Sequence, residues 1–452
     1  MGKFFRRSES VGTTIIQPFQ AFASLEAAGG ILLLAAVVVA MIWANSQWGH
    51  LYDEFWHTPL TLGLGGFTFQ KSLHFWINEG LMTIFFLVVG LEIKREVLVG
   101  ELASFRRAAL PAVAAAGGVI VPALIFYLVN QGTPSERGWG IPMATDIAFV
   151  LTALTILKSR LPASLAVFLV SLAIVDDVCA VIVIAVFYSK NIFLGYLGAA
   201  FLLLGVLILL NILGVRKHLP YLAIGSIVWL CVYESGLHAT IAGVLIAMTI
   251  PCRSDFDTHR FSENAGQVLD SFSVQKERGY IYELHEENQS VVRALETMCQ
   301  KVEPPLQRLE HLLHPWTTFA IVPLFALANA GVQLDKNLVI AGITSRESIG
   351  IILGLFLGKQ LGILGATWVA VKARLADMPP DLEFKHVYGG AILCGIGFTM
   401  SIFIAELCLP EQGQLLNIAK IGILIGSLLS GVVGMLVLCL TSRVRREVPI
   451  SG

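Results

Sequence analysis

The sequence predicts an all-α polytopic membrane protein of about twelve transmembrane helices, with a small extracytoplasmic β-hairpin. Three observations predict it. Of 452 residues, 56% are hydrophobic and only 14% charged, with a mean hydropathy of +0.75, whereas water-soluble domains carry roughly 25% charge. Apolar runs of bilayer-crossing length, about 17–25 residues, recur along the whole chain. Lysine and arginine fall on alternate connecting segments, as topology in a membrane requires.

The runs lie near 25–44, 74–91, 108–130, 139–157, 163–188, 191–213, 219–234, 236–251, 312–331, 347–371, 386–408 and 416–440. The seventh and eighth are short, and they meet within YESGLHAT. With the N-terminus placed in the cytoplasm, 24 of the 31 basic residues fall on cytoplasmic segments. Five fall outside (Lys71, Arg137, Lys190, Lys336 and Arg346), and Lys359 and Lys420 lie in or at the edge of spans. Leaving out 252–311, the bias is still 17 to 5. An even number of spans with both termini cytoplasmic follows. The basic N-terminus, MGKFFRRSES, enters the first run without a small-residue cleavage site, so it reads as a retained tail and not a signal peptide.

The domain reading is 1–251 for spans one to eight, 252–305 for a cytoplasmic charged insertion, and 306–452 for spans nine to twelve. The insertion carries 16 charges in 54 residues. Within it Val291, Leu295, Met298 and Val302 recur at helical spacing until Pro304 and Pro305 stop the helix. Between spans one and two, 46–72 alternates apolar residues around a Gly-Gly turn, which predicts the hairpin. A net charge of -1 implies no nucleic-acid partner. The seven cysteines have no CxxC or Cys/His spacing, so they read as packing thiols with no disulfide framework, zinc site or cofactor.

The chemistry lies in charges that a bilayer disfavours. SLAIVDDVCAVIVIAVFYSK, the fifth span, carries Asp176 and Asp177 side by side. An ionised acid at mid-bilayer disfavours insertion by about 2.5–3.5 kcal/mol, and both lie too far from either end to snorkel. Neighbours on a helix point about 100° apart, so one acid faces a cation pathway while the other reaches a neighbouring helix. The fourth span, GWGIPMATDIAFVL, adds Pro142, Thr145 and Asp146, where proline removes a backbone hydrogen bond and the polar side chains satisfy an interrupted helix. The tenth, IILGLFLGKQLGILGATWVAV, supplies Lys359 at mid-depth, which needs a carboxylate partner. A Lys–Asp pair that breaks and re-forms with protonation is a proton carrier. The eleventh, CGIGFTMSIFIAEL, has Gly395, Gly397, Thr399 and Ser401 and reads as a second interrupted helix. Two broken spans in corresponding halves point to a midplane site in secondary transporters.

AIVDD, ATDIAF, LGKQLGI, VGLEIKRE, SGLHATIAG, RLEHLLHPW, PLFALANAGV and CGIGFTMSIFIA, which occur along nearly the whole chain in the family's order, resemble the NhaA family of sodium/proton antiporters. The resemblance implies inverted repeats, of which that family is an established example. It also implies crossing of the interrupted fourth and eleventh spans, and electrogenic export of Na+ or Li+ in exchange for more protons entering. A homodimer using the outer hairpin, residence in the inner membrane of a bacterium, and pH regulation are implied as well. Carried over by motif, Asp177 is the principal cation and proton site, and Asp176 is the second carboxylate, paired with Lys359. Thr145 and Asp146 stand beside them, so that Asp177, Asp176 and Thr145 hold the transported ion. Glu92 and Glu310 resemble the family's cytoplasmic pH-sensing acids and His238 its pH-modulating histidine, while Glu79 stands where the family usually has aspartate. From the residues alone, Glu92 has Lys94 and Arg95 as alternative partners, Glu310 has Arg308, and His238 reads equally as a satisfied buried histidine. The insertion is longer than the family's usual link, and Gln307 stands where such members carry a lysine, on the face to which the resemblance assigns pH sensing.

Rival readings fit less well. A prenyltransferase needs further DDxxD-type acids and phosphate-binding bases. An intramembrane aspartyl protease leaves Lys359 unexplained, and a channel needs no midplane ion pair that breaks each cycle. The partners expected are therefore Na+, Li+, H+ and the lipid bilayer, with no enzymatic reaction.

Overall fold

In the computed structural model, residues 11–64, 67–157, 160–189, 192–252, 266–268, 289–295, 303–409 and 413–441 are described, with side chains from residue 28 onward apart from 62–67 and 105. The chain is mostly helical. In order come α1 (Val11–Ala44), α2 (Gly49–His57), the hairpin strands β1 (Pro59–Leu64) and β2 (Phe67–Ser72), then α3 (Leu73–Leu98) and α4 (Phe105–Asn130). A 3-10 arm, Pro134–Met143, leads to α5 (Ile147–Ile156), followed by α6 (Ala163–Phe187), α7 (Leu194–Ile212), α8 (His218–Glu234) and α9 (Thr240–Thr249). The last part holds α10 (Pro305–Asn329), α11 (Lys336–Thr344), α12 (Arg346–Lys372), α13 (Phe384–Leu393), α14 (Phe398–Cys408) and α15 (Gly413–Thr441).

Among the described residues, 8 helices are long and apolar enough to cross a membrane, or up to 10 if each of two bent pairs is one span. α8 and α9, at the places of the two short expected spans, are 17 and 10 residues long. The first helix begins at Val11 and not near residue 25. α11 lies in the connection between α10 and α12, which carries no long apolar run, and so the sequence did not point to it. Of the charged insertion only 252, 266–268, 289–295 and 303–305 are described; 289–295 is helical with Val291 buried, while Met298 and Val302 lie outside the described residues.

Apolar side chains cover the outer surface. Phe201, Leu202, Leu209 and Ile212 on α7 are all more than half exposed, as befits a helix whose solvent is hydrocarbon. The hairpin pairs antiparallel from Pro59↔Ser72 to Leu64↔Phe67. It leans on α3 and α8 through Phe69, Phe75, Trp76 and Tyr233, with the Lys71 ammonium 5.3 Å from the Phe75 and Tyr233 ring centres. Such aromatic clusters sit where membrane meets water.

Three local features position the centre of the molecule. The fourth span unwinds at 144–146, where Ala144 (φ -81, ψ 150) and Asp146 (φ -94, ψ 100) are extended. The segment 394–397 is likewise non-helical between α13 and α14, which are bent by 48°. α12 contains a π turn, Gly354–Gly358, immediately before Lys359. A π turn carries one residue more per turn than the α-helix around it and so re-aims the side chains that follow, a device common at functional sites. α4 and α12 meet backbone to backbone: a Cβ on Gly117 would run into the Gly362 carbonyl, and one on Gly362 into that of Gly117. Only glycine permits this approach, and small residues at membrane helix contacts serve it.

Gly117→Val is therefore expected to destabilise the fold by about 1–3 kcal/mol through overpacking. The thermal unfolding midpoint of the detergent-solubilised protein should fall. Gly198→Ala, where an added Cβ meets nothing within 4 Å, should leave it unchanged or slightly higher.

Candidate ion-binding site

The two unwound segments lie against each other and exchange hydrogen bonds. The Asp146 amide donates to the Ile396 carbonyl at 2.7 Å, the Thr145 hydroxyl to the Cys394 carbonyl at 2.9 Å, and the Ser401 hydroxyl to the Ile141 carbonyl at 2.8 Å. Each interrupted strand of backbone thus satisfies the other where no water is at hand. The Asp146 carboxylate accepts from the Thr399 amide at 3.1 Å and from the Thr399 hydroxyl at 2.5 Å. It caps the first turn of α14 from another span, where the helix dipole favours negative charge. A Cβ on Gly397 would strike Ser401 and crowd the Ala144 carbonyl, so the crossing needs glycine there.

The adjacent acids of α6 have different partners. Asp176 is 1% exposed and its Oδ2 accepts from Lys359 Nζ at 2.7 Å, with the lysine side chain fully buried. Asp176 Oδ1 is buried without a hydrogen-bond partner. Asp177 is 7% exposed. It makes no hydrogen bond or ion pair among the described residues and instead lines a crevice together with Thr145, Asp146, Thr399, Glu92 and His314. Among the described residues no three His, Cys, Asp or Glu side chains converge as a metal-binding cluster. An ion resting at Asp177 must therefore draw on hydroxyl and carbonyl oxygens as well, ligands suited to a hard cation.

Residues 20–438 match the sequence model of the Na+/H+ antiporter 1 family. The chain belongs to that family. It is 49% identical over 424 residues to the Na(+)/H(+) antiporter NhaA of Koribacter versatilis, spanning 94% of this chain and 91% of the relative. It is 45% identical over 430 residues to the Na(+)/H(+) antiporter NhaA 1 of Saccharophagus degradans, spanning 95% and 93%. Among solved structures it is similar to the sodium proton antiporter MjNhaP1 of Methanocaldococcus jannaschii, at 13% identity and a TM-score of 0.48, over 92% of this chain and 97% of that one.

In this member of the antiporter family, the four outlying titratable residues divide between the two ends of α3. Glu79 and Glu92 are 13 residues apart on that helix, a rise of roughly 20 Å. At one end Glu92 Oε1 lies 3.6 Å from His314 Nδ1, and Glu310 Oε1 lies 3.2 Å from Arg95 Nη1. Glu92 therefore does not pair with Lys94 or Arg95, nor Glu310 with Arg308. Lys94 is turned to the end of α9, where its ammonium donates to the Met248 carbonyl at 2.7 Å and the Ile250 carbonyl at 2.5 Å. A cation at a helix C-terminus meets unpaired carbonyls and the negative end of the dipole. At the other end His238 Nδ1 lies 3.8 Å from Glu79 Oε1, its Nε2 lies 3.0 Å from the Tyr188 carbonyl, and Glu79 Oε2 accepts from the Ala239 amide at 3.2 Å. Glu79 sits on a π turn, Trp76–Leu81.

Sequence reasoning missed His314 and Arg95 as partners and Thr399 as the residue that binds Asp146. RLEHLLHPW did carry a signal for the first. Glu310 and His314 are four apart, on one helical face. No sequence signal paired Thr399 with Asp146, since they lie 253 residues apart.

Removing one member of a buried ion pair leaves an uncompensated charge, at a cost of about 3–5 kcal/mol. Lys359→Ala is expected to lower the unfolding temperature of the purified protein markedly. Lys359→Ala combined with Asp176→Asn should recover much of the loss. A double variant as unstable as the single would show that the pair contributes little.

Proposed function

We propose that this chain exports Na+ or Li+ in exchange for a larger number of inward protons, through one site that carries either load but never both. The observation that supports it is the division of labour between adjacent acids. Asp176 is held by Lys359, while Asp177 faces the crevice beside Thr145 and Asp146.

When protons are scarce, Asp177 is ionised and takes the cation with help from Thr145 and the freed carbonyls at the crossing. Asp176 is the second carboxylate. Once released from Lys359 it offers its oxygens, including the unpartnered Oδ1, to the same ion. Protonation of the carboxylates and re-formation of the Lys359–Asp176 pair then expel the ion, so the loads exclude each other. The end of α14 that faces Asp146 and the break in the fourth span balance the change in site charge with fixed dipoles. No covalent step occurs and no cofactor takes part.

Both termini lie in the cytoplasm of a bacterium and the spans cross its inner membrane, a reading supported by the placement of lysine and arginine. This puts Glu92, Arg95, Glu310 and His314 on the cytoplasmic side, at the mouth of the crevice. There they regulate exchange with pH. It puts Glu79, His238 and the hairpin outside, and the hairpin joins two copies as a homodimer in the lipid bilayer. The segment 252–305 is a cytoplasmic insertion between the two halves of the chain.

The test is exchange in everted vesicles. After respiration acidifies the lumen, Na+ or Li+ is added across a pH series and recovery of a pH-sensitive dye is followed. Wild type should show recovery that rises with pH, and Asp177→Asn should abolish it at every pH. Recovery indifferent to Asp177, or none in wild type, overturns the reading.

A further inference from the structure

Glu347 belongs to none of the groups above. It stands in the first turn of α12, is 3% exposed, and accepts the Ser135 hydroxyl on Oε2 at 2.9 Å. Its other oxygen, Oε1, is buried without a hydrogen-bond partner. Asn130, the last residue of α4, is fully buried; its amide nitrogen donates to the Phe126 carbonyl at 3.0 Å, and its Oδ1 is likewise buried and unpartnered. Asn130 packs against Gly350, one turn beyond Glu347, where an added Cβ would run into its amide nitrogen.

The charged groups around this contact lie elsewhere. On the 3-10 arm, Glu136 accepts from the Gly132 amide at 2.9 Å and Arg137 is exposed. Arg346 on α12 is exposed, as are Asp335 and Lys336 at the start of α11. On α15, Lys420 pairs with Glu406 at 2.7 Å. Among the described residues none of them forms an ion pair with Glu347. An ionised Glu347 would thus be a buried charge with one oxygen unsatisfied among the described residues, and buried charge without a partner is strongly disfavoured. An added proton removes that charge and still leaves Oε2 able to accept from Ser135.

We infer that Glu347 is a further proton-binding residue of this protein, whose neutral carboxyl, hydrogen-bonded to Ser135, holds the 3-10 arm against α12, and whose deprotonation loosens that contact. The location gives the proton a use. The arm ends at Thr145 and Asp146, and α12 carries Lys359 twelve residues on, roughly 18 Å along the helix. Glu347 therefore joins the far ends of the two elements whose near ends build the ion site. In the proposed orientation that end is extracytoplasmic, so outer pH is communicated to the site. This transport consequence rests on the exchange reading; the protonation does not.

Glu347→Gln separates the roles, because a neutral amide still accepts from Ser135 but cannot lose a proton. Infrared difference spectra of the purified full chain between acid and alkaline pH should show a protonated-carboxyl band in wild type that is lost in Glu347→Gln, with the unfolding temperature preserved. If the glutamine variant does not fold, Glu347→Asp should shift the same band. In proteoliposomes, Glu347→Gln should exchange Na+ at acid outer pH and lose the wild-type variation of rate with outer pH. Identical spectra for wild type and variant overturn the proton site. A lost band with unchanged outer-pH dependence overturns the link to transport. If wild type itself fails to exchange Na+, the exchange reading fails, and the carboxyl band still decides whether Glu347 binds a proton.

Discussion

An ammonium and a carboxylate with almost no exposure, 2.7 Å apart and 183 residues apart in sequence, constrain most of the centre of this protein. Neither charge is tolerable alone in a membrane interior, so α6 and α12 must meet at one rotation and one depth. That requirement reaches outward. α12 comes close enough to do this only because Gly117 and Gly362 let its backbone touch α4. The π turn just before Lys359 is where the helix phase is adjusted. Once Asp176 is committed to Lys359, helix geometry turns Asp177 about 100° away, into the crevice.

The crossing of unwound segments answers a second constraint, the need to satisfy every backbone group without water. Thr145, Asp146 and Ser401 supply the hydrogen bonds that a continuous helix would have made internally. The consequence is chemical as well as structural. An aspartate that caps a helix from another span, with hydroxyls and carbonyl oxygens beside it, is a set of hard ligands already held in place. A change of charge at Asp146 would act on both spans at once.

Polar contacts distant from the centre follow the same logic of burial. The four outlying residues are joined in pairs at opposite ends of α3, Glu92 with His314 and Glu310 with Arg95 at one, Glu79 with His238 at the other. In two of these contacts a histidine ring nitrogen lies beside a carboxylate oxygen. Family membership gives the frame in which those contacts matter. The geometry shows that two ends of the molecule, and not one, carry them.

Much of this was legible in the sequence, for a physical reason. Lipid imposes length, hydropathy and charge placement on each span separately, so the helices at 163–188, 347–371 and 416–440 were readable to within a few residues, as were the intramembrane charges; the hairpin was foreseen, but 49–57 of its expected 46–72 is helix and its strands occupy only 59–72. A buried charge in a span is anomalous by itself, which is why Asp146, Asp176, Asp177 and Lys359 stood out without any partner in view. Pairing is different, because it depends on rotation and depth between segments distant in sequence. Nothing local distinguished His314 from Lys94 as the partner of Glu92, placed Thr399 on Asp146, or set Ser135 on Glu347. Nor did composition reveal α11 or the π turns, which come from how a chain already in the membrane packs. The sequence by itself determined that charges must be buried and along which spans; only the tertiary structure decided which of them meet.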